Sequence, residues 1–122
     1  MSEKYDFGKE AEEVACGYLQ QKGYIIHETR WRSGHKEIDI IAQEGNMLVI
    51  VEVKARAAGS LQAPEDAVDE RKIRNLVRAA DTYIRSHNIN LDTRFDIIAI
   101  NAGPNGYDIN HIIDAFWPPI NV

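Results

Sequence analysis

The chain has 122 residues, enough for one compact domain with a hydrophobic core and too few to suggest two. Its formal net charge of −5 argues against a protein that coats nucleic acid through bulk positive charge, though it leaves room for a local basic surface. The longest apolar run, residues 47–51, falls far short of the ~20 needed to cross a bilayer, and the single cysteine, Cys16, offers neither an internal disulfide nor a zinc framework, so a reducing, cytoplasmic setting without a membrane is expected.

In chain order, Phe7, Ala11, Val14, Ala15, Tyr18 and Leu19 recur at helical spacing before Gly23, which predicts an amphipathic helix over about residues 6–22, with Cys16 as a small apolar member. Residues 24–32 are β-compatible, and Ser33-Gly34-His35 reads as a turn. In 36–43, Ile38 and Ile40 alternate with Glu37 and Asp39, a strand pattern. Glu44-Gly45-Asn46 makes the next turn, and 47–56 is the third strand of an expected antiparallel meander. The small, glycine-containing stretch 57–63 predicts a mobile loop, and Pro64 followed by Glu65 and Asp66 a helix opening. That helix is expected to run to about residue 86 or 87, with Ile73, Leu76, Val77, Ala80 and Ile84 as its apolar stripe. Residues 93–101 and 107–113 read as strands joined by the turn chemistry of 102–106. The predicted order is αβββαββ, an α/β fold in one domain spanning 1–122.

The segment 49–54 combines a strongly apolar strand with an acid and a base, Glu52 and Lys54, that strand periodicity places on one face. Charges on such a strand are costly unless paired or bound to an ion. The preceding strand supplies a second acid, Asp39, which a hairpin through 44–46 brings beside Glu52. Two close carboxylates suit Mg²⁺ or Mn²⁺, hard cations that take oxygen ligands and leave positions for water and a phosphate oxygen. Such an ion polarises a phosphodiester and lowers the pKa of bound water, and Lys54 would orient that water or stabilise the charge of the transition state. A structural ion pair among Asp39, Glu52 and Lys54 accounts for the same residues equally well. Glu12, one helical turn after Gly8, is a candidate third acid, although a solvated glutamate is the ordinary occupant of such a helix position.

Gly8 and Glu12 followed by Ala15, Tyr18-Leu19, Gly23-Tyr24, Glu37-Ile38-Asp39-Ile40-Ile41, Val51-Glu52-Val53-Lys54 with Arg56, Ala67-Val68, Lys72 and Arg94-Phe95-Asp96 together resemble the YraN-like family of small predicted bacterial endonucleases. The resemblance covers nearly the whole chain. It implies a restriction-endonuclease-like fold of the PD-(D/E)XK superfamily, similar to archaeal Holliday-junction resolvases, with a mixed sheet flanked by helices and a divalent-metal nuclease site. By this resemblance Glu12, Asp39, Glu52 and Lys54 fall on the motif positions, with Asp39 and Glu52 as metal ligands. Lys36 stands where the family usually has glycine, and Ile38 where the superfamily's namesake proline lies. The implied partner is DNA, with branched or junction DNA one substrate; a non-catalytic, structure-specific nucleic-acid-binding module of the same fold is the alternative. A homodimer would suit a two-fold junction because paired nicks need paired sites.

Several further features admit two readings. Arg71, Arg74, Arg78 and Arg85 form a basic stripe that could follow a phosphate backbone or could be a solvated face balanced by Asp69, Glu70 and Asp81. Lys72 matches a basic family position and is a candidate substrate contact. Arg56 shares the face of Glu52 and Lys54, which fits a phosphate contact or a salt bridge at the strand end. Arg30, Trp31 and Arg32 join charge to a stacking ring, as single-strand binders do, but a tryptophan more often buries its ring. Glu37, one strand repeat from Asp39, is expected to support the site or the fold. His27, His35, His87 and His111 are too scattered for a histidine metal site. Phe116-Trp117-Pro118-Pro119 is expected to close the core or to contribute to a dimer contact.

Overall fold

A computed structural model describes residues 7–56 and 69–117 of the chain. They form α1 (Phe7–Gln21), β1 (Ile25–Ser33), β2 (Lys36–Glu44), β3 (Met47–Arg56), α2 (Glu70–Ser86), β4 (Asp92–Gly103) and β5 (Gly106–Ile112), the αβββαββ order expected. The loop and helix opening expected over 57–66, and Pro118-Pro119, lie outside the described residues. Asp69 is extended and caps α2, its carboxylate accepting the Lys72 N–H at 2.9 Å, so α2 starts at Glu70. Just past the end of α1, Gly23 has a φ of +94° that lets the Tyr24 N–H reach the Leu19 carbonyl at 3.0 Å.

The five strands lie side by side in the order β1-β2-β3-β4-β5. Short turns make β1–β2–β3 an antiparallel meander, and β4–β5 is likewise antiparallel. Between them β3 and β4 are parallel, because α2 carries the chain back across the sheet. The sheet is therefore mixed and covered on both faces. Ala11, Ala15 and Leu19 of α1 pack with Ile40, Ala42, Val49, Val51, Ile98 and Ile100. On the other side Leu76, Ala79, Ala80 and Tyr83 of α2 pack with Ile38, Ile41, Leu48, Ile50 and Phe95. Burial on both faces explains why β3 reads as an unbroken apolar run.

The simple alternation expected of β2 does not hold. Ile38 joins the α2 cluster while Ile40 joins the α1 cluster, so the strand changes phase between them, at Asp39. Beside it in β1, Arg30 has a φ of +52°, in the left-handed region that L residues avoid at a cost of about 1–2 kcal/mol. It lies between the pairs Thr29–Ile40 and Trp31–Ile38, and thus across from Asp39. Beyond this twist Trp31 turns onto α2, edge-on to Tyr83 with ring centroids 5.2 Å apart, which settles it as a packed side chain. The local break leaves the Asp39 carboxylate out of both cores.

One carboxylate is wholly buried. Asp96 of β4 accepts Arg94 Nε at 2.9 Å on one oxygen and Arg94 Nη2 at 2.9 Å on the other. It also accepts His111 Nε2 of β5 at 2.7 Å and the Asp114 N–H at 3.0 Å. Because a carboxylate only accepts, His111 Nε2 carries a proton, and in the neutral ring Nδ1 is left to accept the Tyr18 hydroxyl at 3.1 Å. Arg94 reaches on to Glu44 at 2.9 Å and the Tyr24 hydroxyl at 2.8 Å. The network thereby stitches β4 and β5 to α1, the end of β2 and the α1–β1 corner. Burial alone would raise the Asp96 pKa, but the bonds from His111 and Arg94 outweigh it and hold the carboxyl below its ordinary range.

Asp96→Ala leaves Arg94 and His111 without their shared acceptor, so we expect a loss of about 3–5 kcal/mol in urea unfolding at neutral pH. A depressed carboxylate stabilises the fold above its unfolded pKa and loses that contribution as pH falls through the folded value, so acid unfolding of the variant should be correspondingly shallower.

Candidate metal centre

Glu52 projects from the α2 face of β3, in step with Leu48 and Ile50, and is only 4% exposed. Two ammonium groups meet one of its oxygens. Lys54 Nζ, two residues on along the same strand face, lies 3.2 Å from Glu52 Oε2, and Lys72 Nζ, from the first turn of α2, lies 3.3 Å from the same atom. The ion pair considered from the sequence for Glu52 and Lys54 is thus present, with a second lysine added by the crossover helix.

Asp39 is placed by a fork in the sheet. Pairing of β2 with β3 runs from Glu44–Met47 to Ile40–Val51 and stops there. One step further, the Val53 N–H of β3 donates to Asp39 Oδ2 at 2.8 Å. A side-chain oxygen takes the place of a strand carbonyl, which keeps the Val53 N–H satisfied while the two strands separate. Burial is the largest influence raising the Asp39 pKa, the nearby Glu52 charge adds to it, and the Val53 bond and the Lys72 charge only partly oppose them; with Glu12 adding to the rise, the group is pushed up to about 7.

On its open side Asp39 meets two further acids. Carboxylate oxygens of Glu12, Glu37 and Asp39 all lie within 4.8 Å of one another, an oxygen-only donor set of the kind a hard divalent cation takes. Glu12 comes from α1 and is held by Arg30 Nε at 2.6 Å; Glu37 is held by Arg32 Nε at 2.9 Å. The phase change at Asp39 makes the cluster, since it lets one strand position be approached from both helices. Charge imbalance at Asp39 and the all-oxygen donor set together fit a divalent ion.

The structure therefore brings Glu12, Asp39, Glu52, Lys54 and Lys72 into one neighbourhood. Arg56 stands one strand repeat beyond Lys54, opposite Asn101 and partly buried. Glu37 enters the acid cluster directly, a place that its spacing of two from Asp39 hinted at. Arg30 is the residue that sequence reasoning assigned elsewhere: its ion pair with Glu12 joins positions 18 apart, and no local pattern signals it. Asp39, Glu37 and Lys72 line a cleft of about 160 Å³ with His35, Lys36 and Asn75. Glu12 and Arg30 line a second groove of about 410 Å³ between α1 and β1. In the arginine stripe of α2, Arg74 pairs with Glu70 at 3.5 Å and Arg85 with Asp81 at 3.1 Å, which favours a solvated, partly self-neutralised face.

A sequence model described as "Uncharacterised protein family UPF0102" matches residues 11–100, a span that holds all five of these clustered residues. The chain belongs to this family. A UPF0102 protein of Phocaeicola vulgatus is 44% identical over 120 residues, covering 98% of this chain and 99% of the relative. One from Parabacteroides distasonis is 46% identical over 119 residues, with 98% of each chain covered, and one from Flavobacterium psychrophilum 45% over 117 residues, covering 96% and 98%. Among the described residues no helix is long and apolar enough to cross a membrane.

Because the Asp39 pKa is raised in the fold, from 3.8 to about 7, the folded state resists losing that proton and stability falls as pH rises through about 7. Asp39→Asn keeps an acceptor for the Val53 N–H and removes the buried charge. We expect it to be more stable than the parent at pH 8, by more than about 1 kcal/mol in urea unfolding, with the difference shrinking at pH 5.

Proposed function

We propose that the chain is a metal-dependent nuclease of the restriction-endonuclease-like, PD-(D/E)XK type, acting in the cytoplasm on phosphodiester bonds of DNA, branched or junction DNA among its substrates. The observation that carries this reading is the fork between β2 and β3, where the carboxylate held at a pKa of about 7 stands beside a buried glutamate bracketed by two lysines. A carboxylate so placed gains most from a cation.

In this reading Asp39 and Glu52 hold Mg²⁺ or Mn²⁺, and Glu12 serves as a further acid of the centre. The bound ion supplies Lewis acidity and a water of lowered pKa. Asp39 must give up its proton before it can act as a ligand. Lys54, fixed by its contact with Glu52 at 3.2 Å, keeps a positive charge where a water oxygen attacks phosphorus and the leaving oxygen departs. Lys72 and Arg56 flank it as contacts for the phosphate backbone. A homodimer would present two such centres to a two-fold junction.

A second reading retains the fold as a structure-specific nucleic-acid-binding module without turnover. It is favoured by one observation, that Glu52 is already neutralised by both lysines.

Calorimetric titration of Mg²⁺ and Mn²⁺ into the parent and Asp39→Asn, followed by cleavage assays on branched, single-stranded and duplex DNA, separates the two. The nuclease reading expects metal binding that is lost in Asp39→Asn, and metal affinity that rises with pH through about 7 as metal-free Asp39 ionises. Lys54→Ala should cut the cleavage rate by about 10²–10³-fold. Salt-dependent DNA binding without a metal-dependent product would establish the adaptor instead, and cleavage that survived both substitutions would overturn the assigned site.

A further inference from the structure

Two of the acids near Asp39, Glu12 and Glu52, each carry a half-exposed cation from another element. Arg30 of β1, 45% exposed, sits on Glu12, which is 18% exposed. Lys72 of α2, also 45% exposed, sits on Glu52, which is 4% exposed. The asymmetry is the same in both pairs. The acids are the more enclosed members of their pairs, whereas the cations can turn toward water without a large desolvation cost. Lys54, at 22% exposure, is the more enclosed partner of Glu52 and stays with it. Arg30 further holds a left-handed backbone at φ +52°, across from Asp39, a conformation that persists only where its surroundings impose it. That backbone accompanies a guanidinium held 2.6 Å from Glu12.

We infer that Arg30 and Lys72 are placeholder cations: they neutralise Glu12 and Glu52 while the centre is empty of metal, and change partner to the phosphodiester when a divalent ion takes over those carboxylates. The inference rests on the proposed nuclease reading. It assigns Arg30 a place in the centre, and it gives metal and substrate a common dependence. With an ion on the carboxylates, Arg30 and Lys72 would lose their hold on Glu12 and Glu52 and become available to a phosphate; once drawn to a phosphate, they would leave those acids open to the ion. Each ligand favours the same arrangement, so each must tighten the other by the same factor.

The test is a calorimetric titration of Mg²⁺ in the absence and presence of dimethyl phosphate, a phosphodiester monoanion that can occupy the centre without serving as DNA. It is carried out on the parent, Arg30→Gln, Arg30→Asn and Lys72→Met, each first checked for cooperative unfolding. Asparagine tolerates the left-handed backbone, so it keeps the Arg30 position testable if glutamine does not fold. In the parent, dimethyl phosphate should tighten Mg²⁺ binding about fivefold or more, a typical size for coupled sites. In the variants, Mg²⁺ alone should bind roughly two- to fivefold tighter, the fold-change of removing one half-exposed competing ion pair, while the coupling to dimethyl phosphate falls toward unity.

A residue that merely lent positive charge would shift both affinities and leave the coupling intact. Parental coupling in both an Arg30 variant and Lys72→Met, or metal affinity that is unchanged or weaker in them, therefore overturns the inference and leaves the nuclease reading standing. Failure of the parent to bind Mg²⁺ with or without dimethyl phosphate overturns the nuclease reading itself, and this inference with it.

Discussion

The bond from the Val53 N–H to the Asp39 carboxylate is the interaction on which the arrangement of the site depends. A strand buried on both faces cannot leave its backbone donors unsatisfied, so β2 can part from β3 only if something replaces the lost ladder bond. Asp39 supplies that replacement and is thereby fixed at the fork, with Glu52 on the neighbouring strand. The phase change that puts Ile38 and Ile40 in opposite clusters, and the left-handed backbone of Arg30 alongside, belong to the same local break. Through it α1 and α2, which cover opposite faces of the sheet, both reach one carboxylate neighbourhood.

Two aspartates show how environment divides structural from chemical work. Asp96 is surrounded by donors from Arg94, His111 and the Asp114 backbone, and its pKa falls despite burial. At Asp39 burial and the charges of Glu52 and Glu12 prevail over the Val53 donor, and its pKa rises to about 7. The same side chain is a satisfied brace in one place and a proton-holding acid in the other. The brace ties β4, β5 and the α1–β1 corner together on the α1 side of the sheet, away from the acid cluster. A perturbed carboxylate with excess negative charge around it points to a site of function, whereas one with every lone pair answered points to the fold.

Cations around the acids come from three elements. Arg30 and Arg32 lie on β1, Lys54 on β3 and Lys72 on α2. At Asp39, burial and then the charges of Glu52 and Glu12 raise the pKa against the Val53 bond and the Lys72 charge. The crossover helix thus does more than return the chain for a parallel strand. Its Asp69 cap holds the first turn of α2, from which Lys72 reaches back to Glu52.

Element order was legible in the sequence because periodicity and turn chemistry are local. The stripe ending at Gly23, the unbroken apolar run of β3, the three hairpin turns and the spacing of Glu52 and Lys54 all follow from which side of the backbone successive residues occupy. The sequence by itself also marked Asp39 and Glu52 as acids in search of a counter-charge, whereas Glu12 stood out only through the family resemblance. The mixed sheet came only from the family resemblance, since local pattern does not tell parallel from antiparallel neighbours across a crossover. Tertiary structure alone decided that Asp39 sits at a phase break, that Glu37 joins its cluster, that Arg30 belongs to Glu12, and that Asp96 is a brace apart from the acid cluster. Those outcomes depend on where a strand twists out of step and on which charges meet across 18 or more positions of chain, and neither distance nor desolvation is written in the spacing of neighbours.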